Sequence, residues 1–338
     1  MTRTVLKGLN GSNPLGFMAS VGLLRLLGDR CGSARLGFTE EGTFRAWIEC
    51  DSSLDVVDIV SADATGAADP QPWRLEYEKA EKKGVKKVAD LKAPPEKFVE
   101  FLASAVSQWV EGRAERADYA AAYGTDIAVD GKKNTKPTAF HFTAANQQFL
   151  GAIEEIRRSV TLEWVAESLD DGPGKTKPGS NLRWDPDAER SRALMGVNPN
   201  DDGTVVNAPL EWLAFRALPT FRCVPIGDRV VTCGVTGRRQ DELCFHWPLW
   251  SCGASYATVR SLVSLAATWV ENEEAIKRMI EERRKSTQQH QRSLTRLRRD
   301  LERAIDSRRA RGVFAVCTSA IRRTTQGFGN FGPAHVRA

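Results

Sequence analysis

The 338-residue chain is 41% hydrophobic and 27% charged with a formal net charge of +5, an ordinary globular composition that excludes collagenous and low-complexity classes. No apolar run approaches the ~20 residues a membrane span needs and the N-terminus lacks a secretion signal, so a cytoplasmic protein without membrane partners is expected. Its seven cysteines are odd in number with no Cys-x-x-Cys pair, so neither a disulfide framework nor a structural zinc site is signalled.

Gly8-Leu9-Asn10-Gly11-Ser12-Asn13-Pro14 reads as a loop entering a helix, with Ser12 or Asn13 as cap and Pro14 in the first turn. That helix runs to about Gly28 and is apolar on most sides, which predicts burial. Ala34 to Phe38 and Thr43 to Glu49 read as strands joined by Glu40-Glu41-Gly42. From Ala62 to Pro95 periodic apolar residues are sparse and lysines frequent, the pattern of a long exposed insertion. Pro94-Pro95 opens a helix through Phe98, Phe101, Leu102, Val106 and Val110, and Gly131 to Pro137 is a basic loop. Thr143 is expected to cap a helix through Phe149, Leu150, Ile153, Ile156 and Val160.

Further on, Ala208 to Leu218 reads as helix, and Val230 to Val235 and Leu243 to Trp247 as strands. Helices are expected to dominate from Ser255 to the end, and the stretch Glu281 to Ser293, without an aliphatic side chain, reads as a joint between two antiparallel helices. The expected class is α+β: a mixed α/β body with short antiparallel strands over residues 1–254, with basic loops near 79–92 and 131–137, followed by a C-terminal α-helical module over 255–338.

The charge is concentrated in that last part. Lys277 to Arg323 holds 15 basic residues, 13 of them arginine, against five acidic ones, so the remainder of the chain is net acidic. A basic arm on a mildly acidic body suits a polyanion, because clustered cations release counterions from nucleic-acid phosphates. At 100° per residue from Leu294, the side chains Leu297, Leu301, Ala304 and Ile305 share one arc while Arg292, Arg296, Arg299 and Arg303 take the opposite one. One face packs and the other is a ridge of planar guanidinium forks, with Arg283 and Arg284 before it. A solvated helix is the competing reading.

Enzyme signatures fail on inspection, and the chain reads as non-catalytic, with no cofactor or metal. Gly172 to Thr176 imitates a phosphate-binding loop, but Leu169 stands where its first glycine belongs. Four scattered histidines assemble no local catalytic pair. Asp185, Asp187 and Glu189 could hold Mg²⁺, but beside Arg183, Arg190 and Arg192 they read first as ion-pair partners. Trp184, Trp212, Trp247 and Trp250 could stack on bases, although beside Pro and Leu they read as core.

Several segments carry a resemblance in order along the chain: Leu6-Lys7-Gly8-Leu9-Asn10-Gly11-Ser12-Asn13-Pro14-Leu15-Gly16-Phe17, Phe142-Thr143-Ala144-Ala145-Asn146-Gln147-Gln148-Phe149-Leu150, Arg183-Trp184-Asp185-Pro186, Pro209-Leu210-Glu211-Trp212-Leu213-Ala214-Phe215, and Phe245-His246-Trp247-Pro248-Leu249-Trp250. Together they resemble CRISPR-associated proteins of the type I-G (formerly I-U) effector systems, of the large-subunit-like or the helicase-nuclease-associated family. The resemblance implies a part in crRNA-guided DNA interference, with other type I-G effector subunits, crRNA, target DNA and the helicase-nuclease as partners. Base pairing reads the target in such assemblies while protein holds backbone, and the segment after Ser255 would resemble the small-subunit module along the displaced strand. For flanking DNA the candidates are Asn10, Ser12 and Asn13, and Asn146, Gln147 and Gln148, whose amides and hydroxyl can meet base edges, with local capping as the competing reading. Lys132, Lys133 and Lys136 would contact backbone only. The alternative function is an adaptor whose arginine helices dock on an acidic partner subunit without touching DNA.

Overall fold

The computed structural model describes residues 2–40, 42–51, 54–66, 71–81, 84–143, 147–170, 176–187, 205–239, 241–284, 291–323 and 329–337, with the side chains of 80–81 and 291–292 left aside. The fold is α+β, with short antiparallel strands and C-terminal helices. Strand β1 (Thr2–Asn10) leads into α1 (Pro14–Cys31), followed by β2 (Arg35–Phe38) and β3 (Arg45–Cys50); the three strands form an antiparallel sheet in the order β1-β3-β2. Asn13 caps α1, its side-chain oxygen accepting from Leu15 N and Gly16 N, and Gly32 ends it in the left-handed region with φ 62°. Every residue from Pro14 to Leu27 is buried. A helix apolar on most sides has no face to give to water, so it takes the centre of the molecule.

Around α1 stand α2 (Val56–Thr65), the hairpin β4 (Tyr77–Glu81) and β5 (Gly84–Val88), α3 (Pro95–Val110), α4 (Glu115–Tyr123), β6 (Gly124–Val129) and β7 (Thr135–Pro137). Then come α5 (Phe149–Ser159), α6 (Leu162–Asp170), the pair β8 (Lys177–Pro178) and β9 (Val205–Val206), and α7 (Ala208–Arg216), which lies against α1. The stretch 62–95 is not the exposed insertion its lysines suggested. Trp73, Leu75, Tyr77, Val88, Leu91 and Ala93 are buried, while the exposed described residues lie at the end of α2 and on the β4–β5 hairpin. Nor does Thr143 cap a helix: α5 starts at Phe149 after Gln148, and the buried Thr143 hydroxyl bonds His141 Nε2 at 3.1 Å.

The hairpin of β10 (Cys223–Ile226) and β11 (Arg229–Thr232) precedes β12 (Val235–Thr236), β13 (Cys244–Trp250), α8 (Tyr256–Arg284), α9 (Gln291–Arg309), β14 (Val313–Arg323) and β15 (Gly329–Arg337). The helices expected from Ser255 to the end therefore stop at Arg309. Strands β14 and β15 complete an antiparallel sheet in the order β12-β13-β14-β15, so strand pairing runs across residue 254. Because β14 is buried on both faces for most of its length, Val313 to Cys317 is a continuous apolar run in place of alternation, and such a run does not distinguish strand from helix. The two main sheets meet where Leu36 and Ala254 exchange backbone hydrogen bonds of 3.0 and 2.9 Å. Trp247 Nε1 donates to Gly11 O and Trp250 Nε1 to Leu36 O, both at 2.7 Å, so the indoles fasten β13 to the N-terminal sheet. Trp184, Trp212, Trp247 and Trp250 are all buried and cannot stack on bases. Among the described residues no helix is long and apolar enough to cross a membrane.

Candidate nucleic-acid interface

The described arginines of the C-terminal segment separate into two populations. On α9, Arg296, Arg299 and Arg303 are exposed, while Leu294, Leu297, Leu301, Ala304 and Ile305 are half-buried on the side that packs along α8. Arg292 belongs to the same helical row, but its side chain lies outside the described residues. At 1.5 Å of rise per residue the ridge from Arg296 to Arg303 spans about 10 Å. Arg283 and Arg284 extend the exposed cations onto the end of α8. Arg284 pairs with Glu281 at 3.6 Å and Arg303 with Asp300 at 3.5 Å, each within one helical turn. Exposed pairs of this kind are worth about 0–1 kcal/mol, so a phosphate can displace them. Arg283, Arg296 and Arg299 have no acid within ion-pair distance among the described residues.

The second population is internal. Leu294, Leu301 and Arg308 are spaced by sevens, which returns Arg308 to the packing side of α9. Its guanidinium is buried, with Nε 3.7 Å from Glu273 Oε1 on α8 and Nη1 donating to Arg337 O at 3.2 Å. Burial pulls the Arg308 pKa down, and Glu273 opposes the fall. Arg337 in turn pairs with Glu274 at 2.6 Å. A buried ion pair and its neighbour thus clamp the base of α9 to α8 and β15, and the ridge stands on a fixed support. The heptad spacing that betrays Arg308 is visible in the sequence, but a count of cations passes over it. Arg323 is also internal, donating to His141 O and Ala139 O at 3.2 and 3.1 Å.

The other sequence candidates are mostly occupied within the chain. Asn10 Oδ1 accepts from Ser12 N and Ser12 Oγ at 2.9 and 2.8 Å, closing the turn before α1. Asn13, besides capping α1, donates Nδ2 to Asp185 Oδ1 and Asp187 Oδ2 at 3.0 and 3.1 Å. A side chain on Gly8 would sit 1.8 Å from Ser168 O, so β1 and α6 are in close backbone contact there. Asn10, Ser12 and Asn13 are thus engaged in turn and capping contacts within the chain. Asn146 lies outside the described residues; Gln147 Nε2 donates to Asn181 O at 3.3 Å, and Gln148 Oε1 accepts from Ala89 N at 2.7 Å. Lys132 and Lys133 are exposed on the β6–β7 turn, whereas Lys136 Nζ donates to Asp228 O at 2.6 Å on the β10–β11 turn. Of these candidates, the exposed arginines and the two lysines remain open to solvent.

The acidic group near Asp185 is bound up in the same packing. Asn13 bridges Asp185 and Asp187, Asp187 N donates to Asp185 Oδ1 at 3.0 Å, and Glu189 lies outside the described residues. No set of three or more His, Cys, Asp or Glu side chains that could hold a metal ion occurs among the described residues. Glu211 on α7 is buried and accepts from Leu182 N at 2.6 Å; burial pushes its carboxyl up to about 8, with Asp185 adding to the rise. Between its ordinary value of 4.5 and about 8 the folded chain keeps a proton that the unfolded chain has lost, so stability falls as pH rises through that window. Glu211→Gln should abolish this slope and add on the order of 3 kcal/mol to stability near the top of the window, measured by urea unfolding across pH. A parent protein with flat stability over the same range would contradict a neutral Glu211.

No protein-family model and no curated protein matches this chain.

Proposed function

We propose that this chain is a non-catalytic subunit or accessory of a crRNA-guided type I CRISPR interference complex, holding target DNA through the arginine ridge of α9. The observation that carries the reading is the pairing of an exposed row, Arg296, Arg299 and Arg303, with a buried clamp, Arg308 to Glu273, that fixes the helix bearing it. Guanidinium groups on successive turns meet successive phosphates without reading bases, which is what holding a strand chosen by guide pairing requires. The resemblance of the five sequence segments to type I-G proteins supplies the biological setting, including the other effector subunits, crRNA and the helicase-nuclease as partners.

Fluorescence anisotropy on the full chain with a labelled single strand and a duplex tests the reading. Four phosphate contacts to a single strand give a slope of about −3 in log affinity against log salt. Arg296→Glu, Arg299→Glu and Arg303→Glu together should weaken binding about 100-fold and flatten that slope, with the melting temperature unchanged because these side chains are exposed. Salt-independent binding, or binding untouched by the triple reversal, would refute it.

A protein partner is favoured by a separate observation. The outer side of α3 exposes Val99, Val106, Trp109 and Val110, with Trp109 61% and Val110 75% accessible. A contiguous apolar stripe of this kind marks a protein contact more than a DNA contact. In the adaptor reading the arginine reversal leaves free-DNA binding as it was and abolishes co-purification with an acidic effector subunit.

A further inference from the structure

A groove of about 470 Å³ runs between the β10–β11 hairpin and the solvent side of the first turns of α8. The hairpin wall is aliphatic at Val224 and Val231 and is preceded by Arg222, and the α8 wall carries Ala257, Arg260 and Ser264. Arg260 has no acid within ion-pair distance among the described residues, and Arg222 shares the half-exposed Asp118 at 3.3 Å. Cys233 lines the same groove, and the charges of Arg222 and Arg260 both oppose the upward push that burial gives its thiol. Ser261 and Ser264 donate their hydroxyl protons to Ala257 O and Ser261 O at 3.2 and 2.7 Å, so each presents its oxygen to the groove as an acceptor.

Two anion-seeking forks, an aliphatic wall and hydroxyl acceptors within one groove suit a ligand with a phosphate, a flat apolar face and N–H donors. A nucleotide has all three; an acidic peptide offers carboxylates without the flat face. The volume falls in the range of small-molecule sites, about 300–1,000 Å³, and is too small for a duplex, so only an unpaired base can enter. We propose that this groove takes one nucleotide of a single strand, its phosphate on Arg222 and Arg260 and its base against Val224 and Val231. The inference rests on the strand-holding reading above and adds to it a second anchor at the root of α8, the helix that supports the ridge.

The test uses the full chain with single-stranded DNA, single-stranded RNA and an oligonucleotide abasic at every position. Arg260→Glu, at a half-buried helix position, and the groove-filling Ser264→Trp, at an exposed one, should each weaken single-strand binding about tenfold, the effect of one base contact, with no change in melting temperature. Saturating single strand should slow alkylation of Cys233 by N-ethylmaleimide about fivefold or more while exposed Cys252 reacts as before, mapped by peptide mass; the abasic oligonucleotide should bind the ridge without protecting Cys233. The DNA and RNA arms tell which strand supplies the nucleotide. If both groove variants bind like the parent and Cys233 stays reactive while the ridge reversal abolishes binding, the groove proposal falls and the ridge reading stands. If the groove variants lose binding and the ridge reversal does not, the groove stands and the ridge reading falls. Indifference to all of them overturns both.

Discussion

Arg216→Ala should cost about 3–5 kcal/mol of stability, the range for leaving a buried charge without its partner. Arg216 ends α7 with its side chain 8% accessible. Its Nη1 donates to Glu115 Oε1 and to Tyr119 OH at 3.1 Å, and its Nε lies 3.2 Å from Asp63 Oδ2, near enough for strong attraction though off the line of a hydrogen bond. Arg25 Nη1 from α1 donates to Arg216 O at 3.2 Å, and Trp212 Nε1 donates to Asp63 Oδ2 at 3.0 Å. Three helices, α2, α4 and α7, thus converge on one guanidinium, and α1 is tied to the same residue through its backbone carbonyl. Without it, Asp63 keeps only the Trp212 donor, and burial already pushes its carboxyl upward. Arg216→Met with Asp63→Leu should be milder than Arg216→Ala alone, because no buried charge is then left unpaired, while Glu115 is half-buried and within reach of water. Chemical unfolding of the three proteins gives the answer; a loss under about 1 kcal/mol for Arg216→Ala would mean that water reaches Asp63.

Gly22→Ala should be comparably damaging for a different reason. A Cβ at Gly22 would lie 1.8 Å from Leu213 O and 2.7 Å from Leu213 C, so the obstacle is the backbone of α7. A flexible side chain could swing aside, but here two buried helices have to separate, which places the cost at or above the upper end of the usual 1–3 kcal/mol for overpacking. Gly28, six residues later in the same helix, meets nothing within 4 Å. Gly28→Ala should therefore stabilise by about 0.5–1 kcal/mol, the ordinary helix gain over glycine. Opposite signs for the same substitution in one helix would locate the α1–α7 contact; equal effects would deny it.

Features written in a few neighbouring residues were legible from the chain alone. Asn13-Pro14 marked the start of α1 and Pro94-Pro95 that of α3; of the joint expected over Glu281 to Ser293, residues 285–290 lie outside the described residues, and α8 runs on to Arg284 while α9 starts at Gln291. The outward arginines of α9 followed from angular position, since side chains 100° apart on a helix leave no other choice of face. Arg308 shows the limit of counting charges: the same arithmetic puts it inward, yet only Glu273 on another helix makes an inward arginine tolerable.

Partners distant in sequence had to be seen folded. Nothing near Asn13 or Gln148 announces that their amides are engaged by Asp185 and Ala89, and so withdrawn from any base. The lysines of 79–92 suggested solvent, while Trp73 and Leu91 on either side had already found the core. Strand β14 looked helical by association because its hydrogen-bond partners lie on β13 and β15, on either side of it in the sheet. The groove beside α8 joins Arg222 to Arg260, which no short-range pattern links. Local spacing determines which side of an element is apolar and where it starts, because those preferences arise within one or two turns; which polar groups stay free for a ligand depends on contacts closed over a hundred residues or more, and those exist only after packing.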